Sequence, residues 1–202
     1  MRKIFVMILS LLMVFSLTAC GGNGGTVEKK SAETQTQTEP AKNKILVAYF
    51  SCTGNTKTLA ENAAEVLKAD LYEIKPKVPY TSNDLNWNDE TTRATVEQRD
   101  EKSRPELADK DAKIENYDTI IIAYPIWWHI APKIIDTFME SYDFNGKKVM
   151  AICTSGGSDL GGSVDGLKEI SGKNITWLDG KCFFNSFSKT EVKNFFDGVD
   201  LK

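Results

Sequence analysis

Three short segments concentrate the residue types that bind or react. The first is Ser51-Cys52-Thr53-Gly54-Asn55-Thr56, with three hydroxyls, a thiol, an amide and a glycine. Hydroxyls and backbone N–H groups at a helix start are donors for a phosphate. No lysine or arginine lies inside the segment, so neutral donors would hold the dianion. It lacks the Gly-Lys-Ser/Thr of a Walker loop and the Gly-x-Gly-x-x-Gly of a dinucleotide fingerprint. The same residue types are also ordinary helix caps. The second segment is Tyr124-Pro125-Ile126-Trp127-Trp128-His129. Adjacent tryptophans are costly to leave in water and well shaped to flank a flat ring. Alternation along the segment turns at least one of them toward the core. The third is Thr154-Ser155-Gly156-Gly157-Ser158, with Gly161-Gly162 just beyond. Glycines let a backbone approach a planar ligand and present N–H donors, and they serve equally in a plain strand-to-helix turn.

Other chemistries find little support. The chain has one histidine, and its cysteines (Cys20, Cys52, Cys153, Cys182) have no zinc-ligand spacing, so no metal site is expected. Cys153 closes an apolar run and Cys182 precedes Phe183-Phe184, so both read as small buried apolar residues. A hydrolase is disfavoured: there is no Gly-x-Ser-x-Gly elbow, and only His129 could serve as a triad base.

The elements that must position the three segments follow from hydrophobic periodicity. Ile45 to Phe50 is an unbroken apolar run, the pattern of a strand covered on both faces. Leu59, Ala60, Ala63, Ala64 and Leu67 place a helix over 56–67. Strands are expected over 70–74, 119–123, 148–153 and within 175–184. Helices are marked by Ile130, Ile134, Phe138 and Tyr142, by Val164, Leu167 and Ile170, and by Val192, Phe195 and Phe196. Strands alternating with helices predict an α/β fold with a parallel sheet and helices on both faces. Ligands bind such sheets at the carboxyl ends of the strands, where all three segments emerge. The stretch 76–112 is too long and too polar for a simple crossover and is expected to be a partly helical excursion over the surface.

The N-terminus predicts a different environment. Arg2 and Lys3 precede an uncharged apolar run to Ala19, the pattern of a secretory signal and shorter than the ~20 residues of a spanning helix. Leu17-Thr18-Ala19-Cys20, followed by Gly21-Gly22, resembles the lipobox of bacterial lipoproteins, which implies lipidation of Cys20 and anchoring through buried CH₂ groups. Residues 20–43 are polar, with Thr34-Gln35-Thr36-Gln37-Thr38, and are read as a flexible tether with an r.m.s. span of roughly 25 Å. The expected organisation is a signal peptide over 1–19, a lipid-anchored tether over 20–43 and one domain over 44–202. The expected place is the extracytoplasmic face of a bacterial membrane. Without Arg2 and Lys3 the 25 basic residues fall to 23 against 28 acidic, a net of −5, which argues against a nucleic-acid partner.

The segments in sequence carry a family likeness. Ser-x-Thr-Gly-Asn-Thr after a strand resembles the phosphate loop of flavodoxins. Pro-Ile-Trp-Trp, then Ala131-Pro132, then Glu140-Ser141-Tyr142-Asp143-Phe144 resembles the flavodoxin-like lipoprotein and quinone-reductase-like branch of that superfamily. Thr154 to Ser158, Tyr80 through Trp87 and Arg104-Pro105 are similar to the same branch. The resemblance implies a flavodoxin-like five-stranded sheet of order 2-1-3-4-5. It also implies FMN held without a covalent link. Ser51, Thr53, Gly54, Asn55 and Thr56 would cradle its phosphate. Pro125, Ile126, Trp127 and Trp128 would border the isoalloxazine. Thr154, Ser155 and Gly156 would contact the polar edge of the ring, and Tyr80 and Trp87 could cover its outer side. The implied activity is electron transfer, as a carrier or a small quinone-type reductase, with a redox partner or a flat acceptor such as a quinone. The alternative is a flavin-free ligand- or partner-binding lipoprotein on the same fold.

Two positions depart from the pattern. Cys52 stands where relatives often carry arginine, and its thiol would be reactive only with a depressed pKa. His129 stands where glycine is frequent. It is read either as a proton donor to substrate or flavin or as a solvent-facing residue at a helix start. Histidine takes positive φ less readily than glycine, so weaker stabilisation of the one-electron flavin state is expected.

Overall fold

Residues rich in β-branched side chains form the centre of a parallel sheet. The computed structural model describes residues 43–184 and 186–201. The strands are β1 (Ile45–Tyr49), β2 (Asp70–Glu73), β3 (Thr119–Pro125), β4 (Lys148–Ser155) and β5 (Thr176–Phe184). All neighbours pair in parallel, in the order β2-β1-β3-β4-β5, which is the doubly wound flavodoxin-like topology expected from the sequence. Ile120, Ile121 and Ile122 at the centre of β3 are fully buried, because helices cover both faces. Each such side chain contributes ~1.5–3 kcal/mol over its exposed state.

Helices α1 (Asn55–Leu67) and α5 (Lys189–Asp197) cover one face through Leu59, Ala60, Ala63, Val192 and Phe196. The alanines let α1 lie close to the strands. Helices α3 (Lys133–Ser141) and α4 (Ser163–Ile170) cover the other face through Ile134, Phe138 and Leu167. Ser188 caps α5 by accepting from the Glu191 N–H at 3.1 Å, a capping-box sequence. Ile130 and Tyr142, assigned above to the third helix by their spacing, fall outside it. Ile130 instead closes a tight turn, and Pro132 sets the helix start.

The excursion between β2 and β3 contains α2 (Arg93–Arg99). Its two ends meet. Pro76 and Leu107 form an antiparallel bridge, the Lys77 N–H donates to Glu106 O at 2.7 Å, and the Ala108 N–H donates to Lys75 O at 2.8 Å. The excursion is therefore a lobe on a closed neck.

The sheet carries one irregularity. Between Met150 and Ile152 of β4, β5 accommodates an extra residue, so Leu178 faces Met150 and Lys181 faces Ile152. Gly180 lies in this bulge. A Cβ there would stand 1.8 Å from the Ala151 carbonyl oxygen, so only glycine fits.

The predicted signal segment, Cys20 and the tether as far as residue 42 lie outside the described residues. Asn43, assigned above to the tether, is joined to the domain. Its amide donates to Leu201 O, and its side-chain oxygen accepts from Thr119 Oγ1 at 3.4 Å. No helix among the described residues is long and apolar enough to cross a membrane.

Candidate functional site

The loop after β1 turns sharply into α1. Ser51 Oγ accepts from the Gly54 N–H at 3.1 Å, and Gly54 adopts φ +94° as the residue before the helix. Only glycine takes that conformation without strain. No side chain caps the first turn of α1. The positive end of the helix dipole and its N–H groups are thus left to a ligand in the loop. Thr53, Gly54 and Asn55 are exposed and Ser51 is half-buried. Thr56 is buried, and its hydroxyl is already bonded to Thr154 Oγ1 at 2.7 Å. The sequence assigned these two threonines to opposite ends of a ligand, whereas in the fold they satisfy each other.

The loop after β3 is more unusual. Trp127 and Ile130 exchange two backbone hydrogen bonds, both 3.0 Å. Between them Trp128 and His129 adopt φ +46° and +67°. This is a two-residue turn of the I′ kind, which favours glycine or asparagine. The expectation that His129 would resist positive φ is corrected by its +67°. The turn's closing bonds hold it there, so the conformational argument for a weaker one-electron flavin state loses its premise. Backbone strain of this kind gathers at binding and catalytic sites.

Two supports hold the turn in place. Trp127 packs edge-on against Phe50 and Tyr80, with ring centroids 5.5 and 5.4 Å away. Arg93 lies 4.0 Å over the opposite partner, Tyr80, whose hydroxyl donates to Glu97. Tyr80 therefore braces Trp127 from behind and does not line the cleft that Trp127 faces. The second support is Gln98 of α2, which is buried. Its amide donates to Trp127 O at 3.1 Å and Ala131 O at 3.0 Å, and its oxygen accepts from the Lys133 N–H at 3.1 Å. One side chain of the excursion thus satisfies three backbone groups of the tryptophan loop. Sequence reasoning missed Gln98, because a glutamine in a polar stretch carries no local signal of burial.

In the third segment, Thr154 and Ser155 end β4 rather than opening a loop. Ser155 Oγ accepts from the N–H groups of Gly157 and Ser158 at 3.1 and 2.8 Å. Gly156 is exposed. Ser158 Oγ lies 3.2 Å from His129 Nδ1, which ties the second loop to the third.

These loops surround a cleft of about 370 Å³. Ser51, Thr53, Thr56, Pro125, Ile126, Trp127, Trp128 and Trp87 line it together. Cys52, Leu85 and Ala94 also line it and were not assigned to the site from sequence. Thr154, Ser155, Gly156 and His129 stand beside the cleft without lining it, and Gly54 and Asn55 form the turn at its phosphate-like end. Trp87 is 72% exposed and Trp128 37%, and both open onto the cleft. Cys52 is exposed, yet burial of its surroundings pushes the thiol up to about 12, with Arg93 opposing only in part. It is not a poised nucleophile. No cluster of His, Cys, Asp and Glu among the described residues could hold a metal ion.

A family model described as Flavodoxin matches residues 44–199. The chain belongs to the flavodoxin family. Similar solved structures include candidate flavoproteins from Bacteroides eggerthii and Bacteroides uniformis, each 42% identical. The first covers 80% of this chain and 100% of its own, with a TM-score of 0.74; the second covers 77% and 98%, with 0.73. A flavoprotein of Lactobacillus acidophilus, solved in complex with FMN, is 25% identical over 70% of this chain and 93% of its own, with a TM-score of 0.57. No curated protein matches this flavodoxin-family chain.

Proposed function

We propose that this flavodoxin-family protein binds FMN without a covalent link and transfers electrons outside the cytoplasm, as a carrier or a small quinone-type reductase. The observation that carries the reading is the cleft itself. An uncapped helix start with neutral donors lies at one end, and two solvent-exposed tryptophans form the wall. The FMN complex of the Lactobacillus relative supports the choice of flavin. FMN supplies one- and two-electron chemistry when bound. In this chain, Ser51, Thr53, Gly54 and Asn55 would hold the phosphate with hydroxyl and backbone donors. Thr56 and Thr154 would brace that loop through their mutual bond. Trp127, Trp128, Pro125 and Ile126 would border the ring and exclude water, with Trp87 over the open side. Ser155 and Gly156 would supply donors at the polar edge. His129, held against Ser158, is the one histidine able to exchange a proton near the ring edge.

The lipobox-like Leu17 to Cys20 and the polar stretch to residue 43 support a lipid-anchored protein on the extracytoplasmic face of a bacterial membrane. There it would meet membrane quinones or an exported redox partner. The test is an absorbance spectrum of the purified full chain after mixing with FMN and washing. Yellow protein whose flavin is released by acid is the expected result. A colourless protein that does not retain FMN would overturn the reading and favour the flavin-free binding protein. Mass spectrometry of membrane-extracted protein for a diacylated Cys20 tests the anchor.

A further inference from the structure

The bulge in β5 has a chemical result at the next position but one. With an unbroken register, Lys181 would face Cys153, and Cys182 would project to the other side of the sheet. The extra residue at Asp179-Gly180 shifts the pairing so that Cys182 faces Cys153 directly. Both side chains enter the same buried cluster, on the α3 and α4 side. Neighbouring strands lie about 4.8 Å apart, within the range of roughly 4.4–6.8 Å between α-carbons that a disulfide spans. Cys153 is fully buried, while Cys182 keeps 8% of its surface at the edge strand. The Cys182 thiol donates to Ser158 O at 3.2 Å, in the loop that carries the His129 contact. Neither thiol lines the tryptophan cleft, so the inference stands apart from the flavin reading.

We infer that Cys153 and Cys182 are a modification site: a cross-strand dithiol that hydrogen peroxide oxidises to an intrachain disulfide. Cys182 is the attacking sulfur. It is the less buried of the two; it gives its proton to the Ser158 carbonyl at rest, and a hydrogen bond from Cys153 eases the loss of that proton while holding Cys153 protonated. Reactive cysteines combine thiolate character, access and an adjacent resolving cysteine. In the first step the Cys182 sulfur attacks one peroxide oxygen and the O–O bond breaks. The departing hydroxide takes a proton and leaves as water, and Cys182 becomes a sulfenic acid. In the second step the Cys153 sulfur attacks the Cys182 sulfur. The S–S bond forms, the S–O bond breaks, and the hydroxyl leaves as a second water with the Cys153 proton. Two thiols lose two electrons and one peroxide gains them. The product staples edge strand β5 to β4 and takes away the Cys182 donor from Ser158 O.

The test uses the full chain carrying Cys20→Ser and Cys52→Ser, so that this pair holds the only thiols. Cys52 lies in the loop after β1, outside the sheet. The native protein is treated with equimolar hydrogen peroxide, quenched with catalase, and alkylated in urea. The expected product is lighter by two hydrogens, takes no alkyl group, and yields a peptide joining Cys153 to Cys182 that dithiothreitol separates. A further Cys153→Ser exchange is expected to arrest the reaction at a dimedone-reactive Cys182. Two thiols that stay fully alkylatable in the native protein while the urea-unfolded chain cross-links would overturn the inference. So would over-oxidised Cys182 with no cross-link.

Discussion

Two clefts flank the β3–α3 connection, and they are built on opposite principles. The tryptophan cleft contains no ion pair. Its walls are aromatic, and its donors at the start of α1 are left without a side-chain cap. The cleft between α3, α4 and the excursion holds Arg104, Lys133 and Asp136. There these three charges are answered from within the chain. Lys133 Nζ lies 3.1 Å from Asp136, and Arg104 lies 3.7 Å from Asp136 and forms a double hydrogen bond with Glu140. The two clefts are similar in volume, so size does not separate them. What separates them is what the protein leaves unsatisfied. Exposed aromatic faces and an open helix terminus need a ligand, whereas a closed ion-pair network needs nothing.

The largest effect is expected from Trp127→Ala. It removes the cleft wall and the ring packed on Phe50 and Tyr80. FMN affinity should fall about 100-fold by fluorescence titration, with about 2–3 kcal/mol of stability lost in urea unfolding. In the charged cleft, Lys133→Met strands a buried carboxylate and should cost about 2–3 kcal/mol, while the double change with Asp136→Leu should return stability to within about 1 kcal/mol of wild type. Neither should move FMN affinity more than about twofold. If the double change released flavin, the division between the clefts would fail. Gln98→Ala removes three hydrogen bonds to the backbone around the tryptophan loop, of which Trp127 O keeps the Ile130 N–H, and should cost about 2 kcal/mol. It should weaken FMN about tenfold without removing any residue that lines the cleft; an unchanged affinity would show that the loop holds its own shape. Trp87→Ala should weaken FMN only a few-fold and leave stability within about 0.5 kcal/mol, because this ring is mostly in water.

The charged cleft also has a pH signature. Burial raises the Asp136 carboxyl above its ordinary value, against the pull of Lys133 and Arg104. A carboxyl raised in the folded state binds its proton more tightly there than in the unfolded chain. Its contribution to stability is fully present below the unfolded value near 3.8 and is lost as pH rises through the folded one. Wild type should therefore lose stability relative to Asp136→Asn as pH rises from about 3 to neutrality, measured by urea unfolding across that range. A constant difference would mean that the ion pair cancels the effect of burial, and a gain with rising pH that it outweighs it.

Much of this was legible in the sequence because it is written in periodicity. The apolar runs of β1 and β3 and the alanine stripe of α1 place the sheet, the helices and the strand ends where the three segments emerge. What could not be read depends on contacts between distant residues. Thr56 and Thr154 are both hydroxyl-bearing residues in candidate loops, and nothing local says that they bond each other. Trp128 and His129 take left-handed conformations that neither residue favours, because Trp127 and Ile130 close the turn around them. Tyr80 looked like a cover and is a brace, since its position is set by Arg93 and Phe50. The β5 bulge is invisible until Gly180 is seen against the Ala151 carbonyl.

The closed neck at Pro76 and Leu107 bears on how such a protein can change. The two ends of the excursion meet at this bridge, so the chain between them can change in length without moving β2 or β3, provided that the contacts of Tyr80, Gln98 and Arg104 with the core are kept or replaced. That interval holds Leu85, Trp87, Ala94 and Gln98, which include the outer wall of the cleft and the clamp on its tryptophan loop. The outer wall of the cleft is thus carried on a lobe whose length is independent of the sheet, so that what may enter the cleft can change while the loops at the strand ends stay as they are.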